Sequence, residues 1–98
     1  MNVQEILATL KQNEATLHAR GVSHAALFGS RARGDNRADS DIDIMVDIDP
    51  NSAIGVYQYV ALKQYIAGLF AEPVDVVNRA GLKPYIQLSA LTDAIYAF

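Results

Sequence analysis

Residues 27–46 read LFGSRARGDNRADSDIDIMV, and this stretch holds the most informative pattern in the chain. Over residues 42–48, isoleucine or valine alternates with aspartate or methionine, which predicts a strand with one apolar face. The apolar run at 24–28 predicts another strand, and Gly29-Ser30 interrupts it. Because the connection between the two strands is short, we predict that they pair antiparallel.

Asp41 and Asp43 stand at the start of the second of these strands. Side chains two residues apart on a strand point to the same face, about 6.6 Å apart along the chain. The two carboxylates repel each other, and a hard divalent cation such as Mg²⁺ or Mn²⁺ would relieve that repulsion better than zinc. Asp75, in the short apolar segment PVDVV, is a candidate third carboxylate. Three such groups on one sheet face can hold two metal ions for in-line phosphoryl transfer.

A candidate phosphate-binding turn precedes the acidic strand. Gly29 allows close approach of the backbone, and the Ser30 hydroxyl and the following N–H groups can bind phosphate oxygens. Arg31 and Arg33 follow at once and are candidates for clamping a polyphosphate. A phosphate cradle beside metal ligands suits a nucleoside triphosphate.

Each of these features alone has an ordinary structural explanation. Asp-x-Asp on a strand is usually a solvated face, and exposed arginines often neutralise nearby acids to little effect. Asp75 can serve simply to protect a sheet edge from aggregation. The functional interpretation depends on the combination: Gly29-Ser30 at a strand end, arginines in the turn, and Asp41 after a gap of ten residues. Asp47 and Asp49, which continue the acidic face, are expected to form a solvated strand end.

The remaining chain predicts alternating helices and strands. Gly21 is suited to end the first helix, and Ser52 is a candidate cap for the next. The predicted helices cover residues 2–20, 53–71 and 82–90, and the predicted strands cover 73–77 and 94–98. This order, with short strands throughout, predicts an α/β fold.

Length and composition limit the possible functions. The 98 residues, 51% of them hydrophobic and 19% charged, are predicted to form one globular domain spanning residues 1–98. Cysteine is absent, which excludes thiolate zinc sites and cysteine nucleophiles. A net charge of −3 argues against direct nucleic-acid binding, and no apolar run suits a membrane span or a signal peptide. We therefore expect a cytoplasmic protein without membrane contact.

The segment from Leu27 to Val46 resembles the signature of the polymerase-β-like nucleotidyltransferase superfamily, which has Gly-Ser, about ten residues, then Asp-x-Asp. The form GSRARG followed by SDIDIMV is most similar to the minimal nucleotidyltransferases, or MNT proteins, which are paired with HEPN-domain proteins as antitoxin and toxin. The resemblance extends over nearly the whole chain, and it implies a small mixed sheet with flanking helices.

The resemblance also implies roles for individual residues. Gly29 and Ser30 would form the phosphate-binding turn, and Arg33 matches the arginine of the motif. Asp41 and Asp43 would be the paired metal ligands, and Asp75 the third carboxylate, which helps to deprotonate the attacking hydroxyl. The implied reaction transfers AMP from ATP, with two Mg²⁺ ions, to a tyrosine hydroxyl of a HEPN toxin, an RNase that is thereby silenced in a hetero-oligomeric complex.

Two other functions remain open from the sequence. The protein could neutralise a toxin by binding and occlusion alone, although a passive binder gains nothing from three converging carboxylates. It could also transfer AMP to a small molecule, but 98 residues leave no room for a separate substrate-binding domain. The same argument disfavours a template-directed polymerase or a tRNA-tailing enzyme.

Overall fold

A computed structural model describes all residues from Met1 to Phe98, and the predicted pair of strands lies at the centre of its sheet. β1 and β2 are antiparallel, with Ala25 opposite Val46 and Phe28 opposite Asp43. The strands are β1 (Val22–Phe28), β2 (Ile42–Ile48), β3 (Val74–Asn78) and β4 (Ile95–Tyr96). The helices are α1 (Val3–Gln12), α2 (Glu14–Ala19), α3 (Ser30–Arg33), α4 (Val56–Ala67) and α5 (Pro84–Asp93).

The sheet is mixed and has the order β3-β2-β1-β4. β3 runs parallel to β2, because α4 carries the chain back across the sheet between them, whereas β4 is antiparallel to β1. The predicted α/β class, with a small mixed sheet and flanking helices, is confirmed. None of the helices combines the length and the apolar character needed to cross a membrane.

The alternation in β2 separates a large core from a small one. Ile42, Ile44 and Val46 are fully buried on one face of the sheet, where α1, α2 and α4 pack. On the other face, Met45 packs with Ala26 and with Ala90 of α5. The main core has thirteen buried members: Ile6, Leu10, Leu17, Val22, Ala25, Leu27, Ile42, Ile44, Val46, Leu62, Ile66, Phe70 and Val76. Asp43 shares its face with Met45, so it lies on the lightly covered side of the sheet.

The prediction of one continuous helix over residues 2–20 is wrong. The segment 2–20 forms two helices that meet at Asn13, whose backbone N–H still donates to Leu10 and Lys11 at the end of α1. The Asn13 side chain donates to the Thr9 carbonyl at 2.8 Å and accepts from the Tyr65 hydroxyl at 2.7 Å. Gly21 follows α2 with a φ of 95°, as its predicted role requires.

Other helix and strand boundaries differ from the predicted ones by a few residues. β1 begins at Val22, two residues before the predicted start. The cap predicted at Ser52 is wrong, because α4 begins after Gly55, whose backbone N–H donates to Gln58 at 3.1 Å. The predicted final strand shortens to Ile95–Tyr96.

Candidate active site

The Gly29-Ser30 turn lies directly against the carboxylate of Asp43. Gly29 has a φ of 77° and a ψ of −154°, a region that is essentially restricted to glycine. A Cβ atom at this position would collide with Oδ2 of Asp43. The backbone conformation therefore requires glycine here, and any larger residue would also displace the Asp43 carboxylate.

Asp75 lies beside Asp43 on the neighbouring strand. The two residues are register partners in the parallel pair of β2 and β3, so their side chains leave the same face of the sheet. Neighbouring strands lie about 4.8 Å apart, which makes these two carboxylates close neighbours. Asp43 is half-buried, and Asp75 is exposed.

Asp41 lies at the edge of this group. It precedes β2, which begins at Ile42, and it is exposed. The Ile42 backbone N–H donates to the Pro73 carbonyl at 2.9 Å, so the pairing with the β3 segment extends to the residue after Asp41. The structure thus places Asp41 beside the two other acids, although outside the strand in which it was predicted.

The electrostatics of Asp43 link the three carboxylates. Partial burial raises the pKa of Asp43 above its ordinary value, and the negative charges of Asp75 and Asp41 raise it further. The positive charges of Arg33 and Arg31 act in the opposite direction. The ionised form of Asp43 is therefore destabilised by its surroundings, and a bound cation would stabilise it.

The three carboxylates have the right chemistry to bind a hard divalent cation, but their side chains are not yet close enough together to do so. Three carboxylates supply the oxygen ligands that Mg²⁺ and Mn²⁺ prefer, and their mutual repulsion at Asp43 is what a cation would relieve. No group of three acidic or histidine side chains in the structure is drawn together closely enough to hold a metal ion. Asp41, Asp43 and Asp75 would hold the ion only after their side chains converge further.

Arg33 lies at the rim of the same face. Its Nε donates to Asp35 at 3.0 Å, and its Nη1 donates to Asp93, the last residue of α5, at 2.7 Å. The side chain is 45% exposed, so both partners can be exchanged for a ligand without opening the core. The role of Arg33 at a polyphosphate stays a prediction.

Arg31 is placed differently from the expectation that it clamps a polyphosphate. Its side chain is only 7% exposed, and its Nη2 donates to the Ser40 carbonyl at 2.7 Å and to Glu72 at 2.8 Å. The pKa of Glu72 is lowered, first by its hydrogen bond from the amino terminus of Met1 and then by the one from Arg31. The guanidinium is thus buried and bonded within the protein. Its partner Glu72 is distant in the sequence, so the local sequence does not reveal it.

The sequence patterns do not predict three ion pairs of the structure. Asp47 is not a solvated strand end: it pairs with Arg79 at 2.5 Å, and its side chain is 13% exposed. Glu72 and Asp93 are the partners of Arg31 and Arg33 from 41 and 60 residues away, respectively. Neither periodicity nor a motif marks Glu72 and Asp93, because only the folded chain brings them to the two arginines.

The carboxylate face is open. The structure contains four cavities, and none is lined by Asp41, Asp43 or Asp75. The best enclosed cavity, of about 330 Å³, lies between the end of α2 and the start of α4, lined in part by Arg20, Ser52 and Gln58. Asp41 and Asp75 are exposed to solvent on this face, and Asp43 is half-buried.

Comparison with known proteins gives consistent matches along the chain. The family profile "Polymerase beta, Nucleotidyltransferase" matches residues 4–97. The provisionally named protein adenylyltransferase MJ1379 of Methanocaldococcus jannaschii is 34% identical over 96 residues, covering 96% of each chain. Protein adenylyltransferase MntA of Thermococcus cleftensis is 31% identical over 97 residues, covering 98% of this chain and 96% of the relative.

Solved structures share the fold. A provisionally named minimal nucleotidyltransferase superposes with a TM-score of 0.78 at 29% identity, covering 97% of this chain and 95% of the other. The structure of a tri-AMPylated Shewanella oneidensis HEPN toxin in complex with MNT antitoxin gives a TM-score of 0.64 at 18% identity, covering 94% of this chain and 71% of that one. At that identity the second likeness supports the fold alone.

Proposed function

This chain belongs to the polymerase-β nucleotidyltransferase family, and we propose that it transfers AMP from ATP to a tyrosine hydroxyl of a HEPN-domain toxin, acting as the antitoxin. Its full-length relatives are named protein adenylyltransferases, and a protein of the same fold occurs in complex with an AMPylated HEPN toxin. We expect this chemistry in the cytoplasm, where ATP and the RNA substrates of such a toxin are both present.

The observation that carries the proposal is the position of Asp43. Its carboxylate lies between the Gly29-Ser30 turn on one side and Asp75 on the other. The pKa of Asp43 is raised by burial and by the neighbouring acids, which a purely structural residue would avoid. The proposed phosphate-binding turn and the acidic residues are therefore adjacent, which supports transfer from a nucleoside triphosphate.

In this proposal, the Gly29-Ser30 turn and Arg33 bind the leaving phosphates. The N–H groups at the start of α3 have no side-chain cap, so they and the Ser30 hydroxyl are available to phosphate oxygens. Arg33 can exchange Asp35 and Asp93 for the developing negative charge on pyrophosphate. Gly29 keeps the turn close enough to Asp43 for both sites to act on one nucleotide.

The acidic residues act on the metal and on the acceptor. Asp41, Asp43 and Asp75 would hold two Mg²⁺ ions, or Mn²⁺ in their place, which when bound neutralise the triphosphate and polarise the α-phosphate. Asp75 accepts the phenolic proton, whose unperturbed pKa is about 10. The phenolic oxygen then bonds to the α-phosphorus, the bond from that phosphorus to the oxygen bridging to the β-phosphate breaks, and pyrophosphate leaves with the bonding electrons.

A non-catalytic antitoxin is the second candidate, and one observation favours it. Large apolar side chains are exposed on α5 and β4, including Leu88 at 70% and Tyr96 at 44% exposure. A protein can neutralise a toxin by covering it with such side chains, without any chemistry.

Neutralisation assays separate the two candidates. The wild type and the double variant Asp41→Asn/Asp43→Asn are each mixed with the HEPN-domain protein encoded nearest to the gene, with ATP and Mg²⁺, and RNA cleavage is measured. We expect the wild type to silence cleavage only when ATP is present, and the double variant to fail. Equal silencing by both proteins, with or without ATP, would instead establish the occluding binder.

A further inference from the structure

Arg31 belongs to one segment of the candidate site and contacts two others, and each of the three adjoins a residue of that site. Its own backbone follows Ser30 in α3. Its Nη2 donates to the carbonyl of Ser40, the residue before Asp41, at 2.7 Å. The same nitrogen donates to Glu72, three residues before Asp75, at 2.8 Å. One guanidinium thus joins the phosphate-binding turn to the segments that lead into the first and third carboxylates.

The burial of this group indicates that its position is strongly held. An arginine side chain at 7% exposure has lost most of its hydration, and the two bonds from Nη2 offset that loss. Its Nε is buried without a hydrogen-bond partner. An unpaired buried donor is rare and destabilising, so a flexible surface position would be favoured if the guanidinium had no task inside.

We propose that Arg31 is a positioning residue, which holds the loop before Asp41 and the segment before Asp75 in register with the Gly29-Ser30 turn. This inference rests on the proposed function and deepens it. Arg31 acts through Ser40 and Glu72 and does not bind the triphosphate. Glu72, which also accepts a hydrogen bond from the amino terminus of Met1 at 2.6 Å, is the side-chain partner of Arg31, and the two side chains act together.

The competing role, a direct phosphate clamp, makes the opposite prediction for Glu72. If Arg31 binds phosphate, removing Glu72 releases the guanidinium and leaves ATP affinity unchanged or improved. If Arg31 and Glu72 position the carboxylates together, removing either one causes the same defect, and removing both causes no more than removing one.

Amide hydrogen exchange tests the positioning role without reference to activity. The variants are Arg31→Met and Glu72→Ala, with Arg37→Met as the matched control, because the Arg37 side chain takes part in none of the hydrogen bonds or ion pairs described for this loop. We expect exchange at residues 40–43 and at residues 72, 74 and 75 to accelerate by about tenfold or more in both test variants and to stay unchanged in the control; Pro73 has no amide hydrogen. Unchanged exchange there, or uniform acceleration over the whole sheet, would overturn the proposal. Arg31→Lys, which keeps the charge, replaces Arg31→Met if that variant does not fold.

Steady-state transfer of labelled AMP to the HEPN-domain protein provides the second measurement. Each test variant and the double variant should lose about tenfold in kcat, with the KM for ATP changed less than about twofold. A raised KM in Arg31→Met alone, with Glu72→Ala behaving as wild type, would assign Arg31 to the phosphates and overturn the proposal. A wild type that transfers no AMP would contradict the proposed function instead, and the exchange data would still decide the role of Arg31.

Discussion

At the scale of single residues, Asp43 combines partial burial with two acidic neighbours, and its pKa is raised first by the burial and then by Asp75 and Asp41. A group whose pKa is higher in the folded state makes the folded protein bind a proton more tightly than the unfolded chain does. The ionised carboxylate therefore lowers the stability of the metal-free protein at neutral pH, and acid relieves that cost.

Replacing Asp43 should stabilise the metal-free protein. Asp43→Asn removes the repulsion at similar size, and after allowance for solvent screening we expect a gain of up to about 1 kcal/mol in the free energy of unfolding at pH 7. The gain should shrink as the pH falls through the folded pKa and vanish below the unfolded value of 3.8. Urea denaturation of both proteins across this range measures it. A variant less stable than the wild type at pH 7 would show that the carboxylate is a structural hydrogen-bond acceptor.

Gly29 and Gly34 form a matched pair for testing the contact between the turn and Asp43. Both have positive φ, but a Cβ at Gly34 meets no atom within 4 Å, whereas one at Gly29 meets the Asp43 carboxylate. Gly34→Ala should lower the free energy of unfolding by about 1 kcal/mol, from backbone strain alone. Gly29→Ala should lower it by about 2 kcal/mol or more and also weaken ATP binding. Equal losses would mean that Asp43 does not occupy the space beside the turn.

At the scale of elements, the ion pair from Arg33 to Asp93 fastens the C-terminal end of α5 to α3. This pair is half-exposed on the arginine side, so it contributes little to stability. If Arg33 binds the leaving phosphates as proposed, Asp93 competes with phosphate for the same guanidinium, and the position of α5 sets how readily Arg33 reaches a nucleotide.

Removing the ion pair between Arg33 and α5 should strengthen the binding of the nucleotide or leave it unchanged. We expect Asp93→Asn to bind ATP with Mg²⁺ at least as tightly as the wild type, because Arg33 is released. Arg33→Met should weaken binding by about tenfold, since a charge-assisted contact is lost. Calorimetry on the three proteins gives the comparison. Weakened binding in Asp93→Asn would show that the ion pair orients Arg33 for the phosphates instead of competing with them.

The elements also show what sequence patterns can and cannot predict. β2 was predicted over its full span because its alternation follows from burying one face, a local property of the strand. The division of the first helix at Asn13 was not, because it depends partly on the Tyr65 hydroxyl of α4, a contact made only in the folded chain. Glu72 and Asp93 were missed as site residues for the same reason.

At the scale of the whole molecule, the two faces of the sheet have different roles. The face with Ile42, Ile44 and Val46 carries nearly all the buried apolar surface, whereas the opposite face has only a small cluster around Met45. The face with the isoleucines therefore supplies most of the stability. Because of this, the face with Met45 can carry carboxylates that repel each other. The sequence predicted this division, since the acids and the isoleucines alternate within one strand.

Stability should therefore depend on the helical face of the core. Leu62 is fully buried on α4, and Leu62→Ala should lower the free energy of unfolding by about 3 kcal/mol. Val60→Ala is the control on the same helix, because Val60 is 47% exposed, and it should change stability by less than about 0.5 kcal/mol. Urea denaturation should give one cooperative transition in each protein if residues 1–98 form a single domain, and two transitions would contradict that prediction.

The intact mass of the HEPN-domain protein tests the central claim most directly. It is weighed after incubation with ATP, Mg²⁺ and either the wild type, Asp75→Asn, or Asp41→Asn/Asp43→Asn. We predict that the wild type adds whole AMP units, which peptide mapping places on tyrosine, and that neither variant adds any, although Asp75→Asn keeps most of its ATP binding. An unchanged mass with the wild type, while the toxin is nevertheless silenced, would contradict the account.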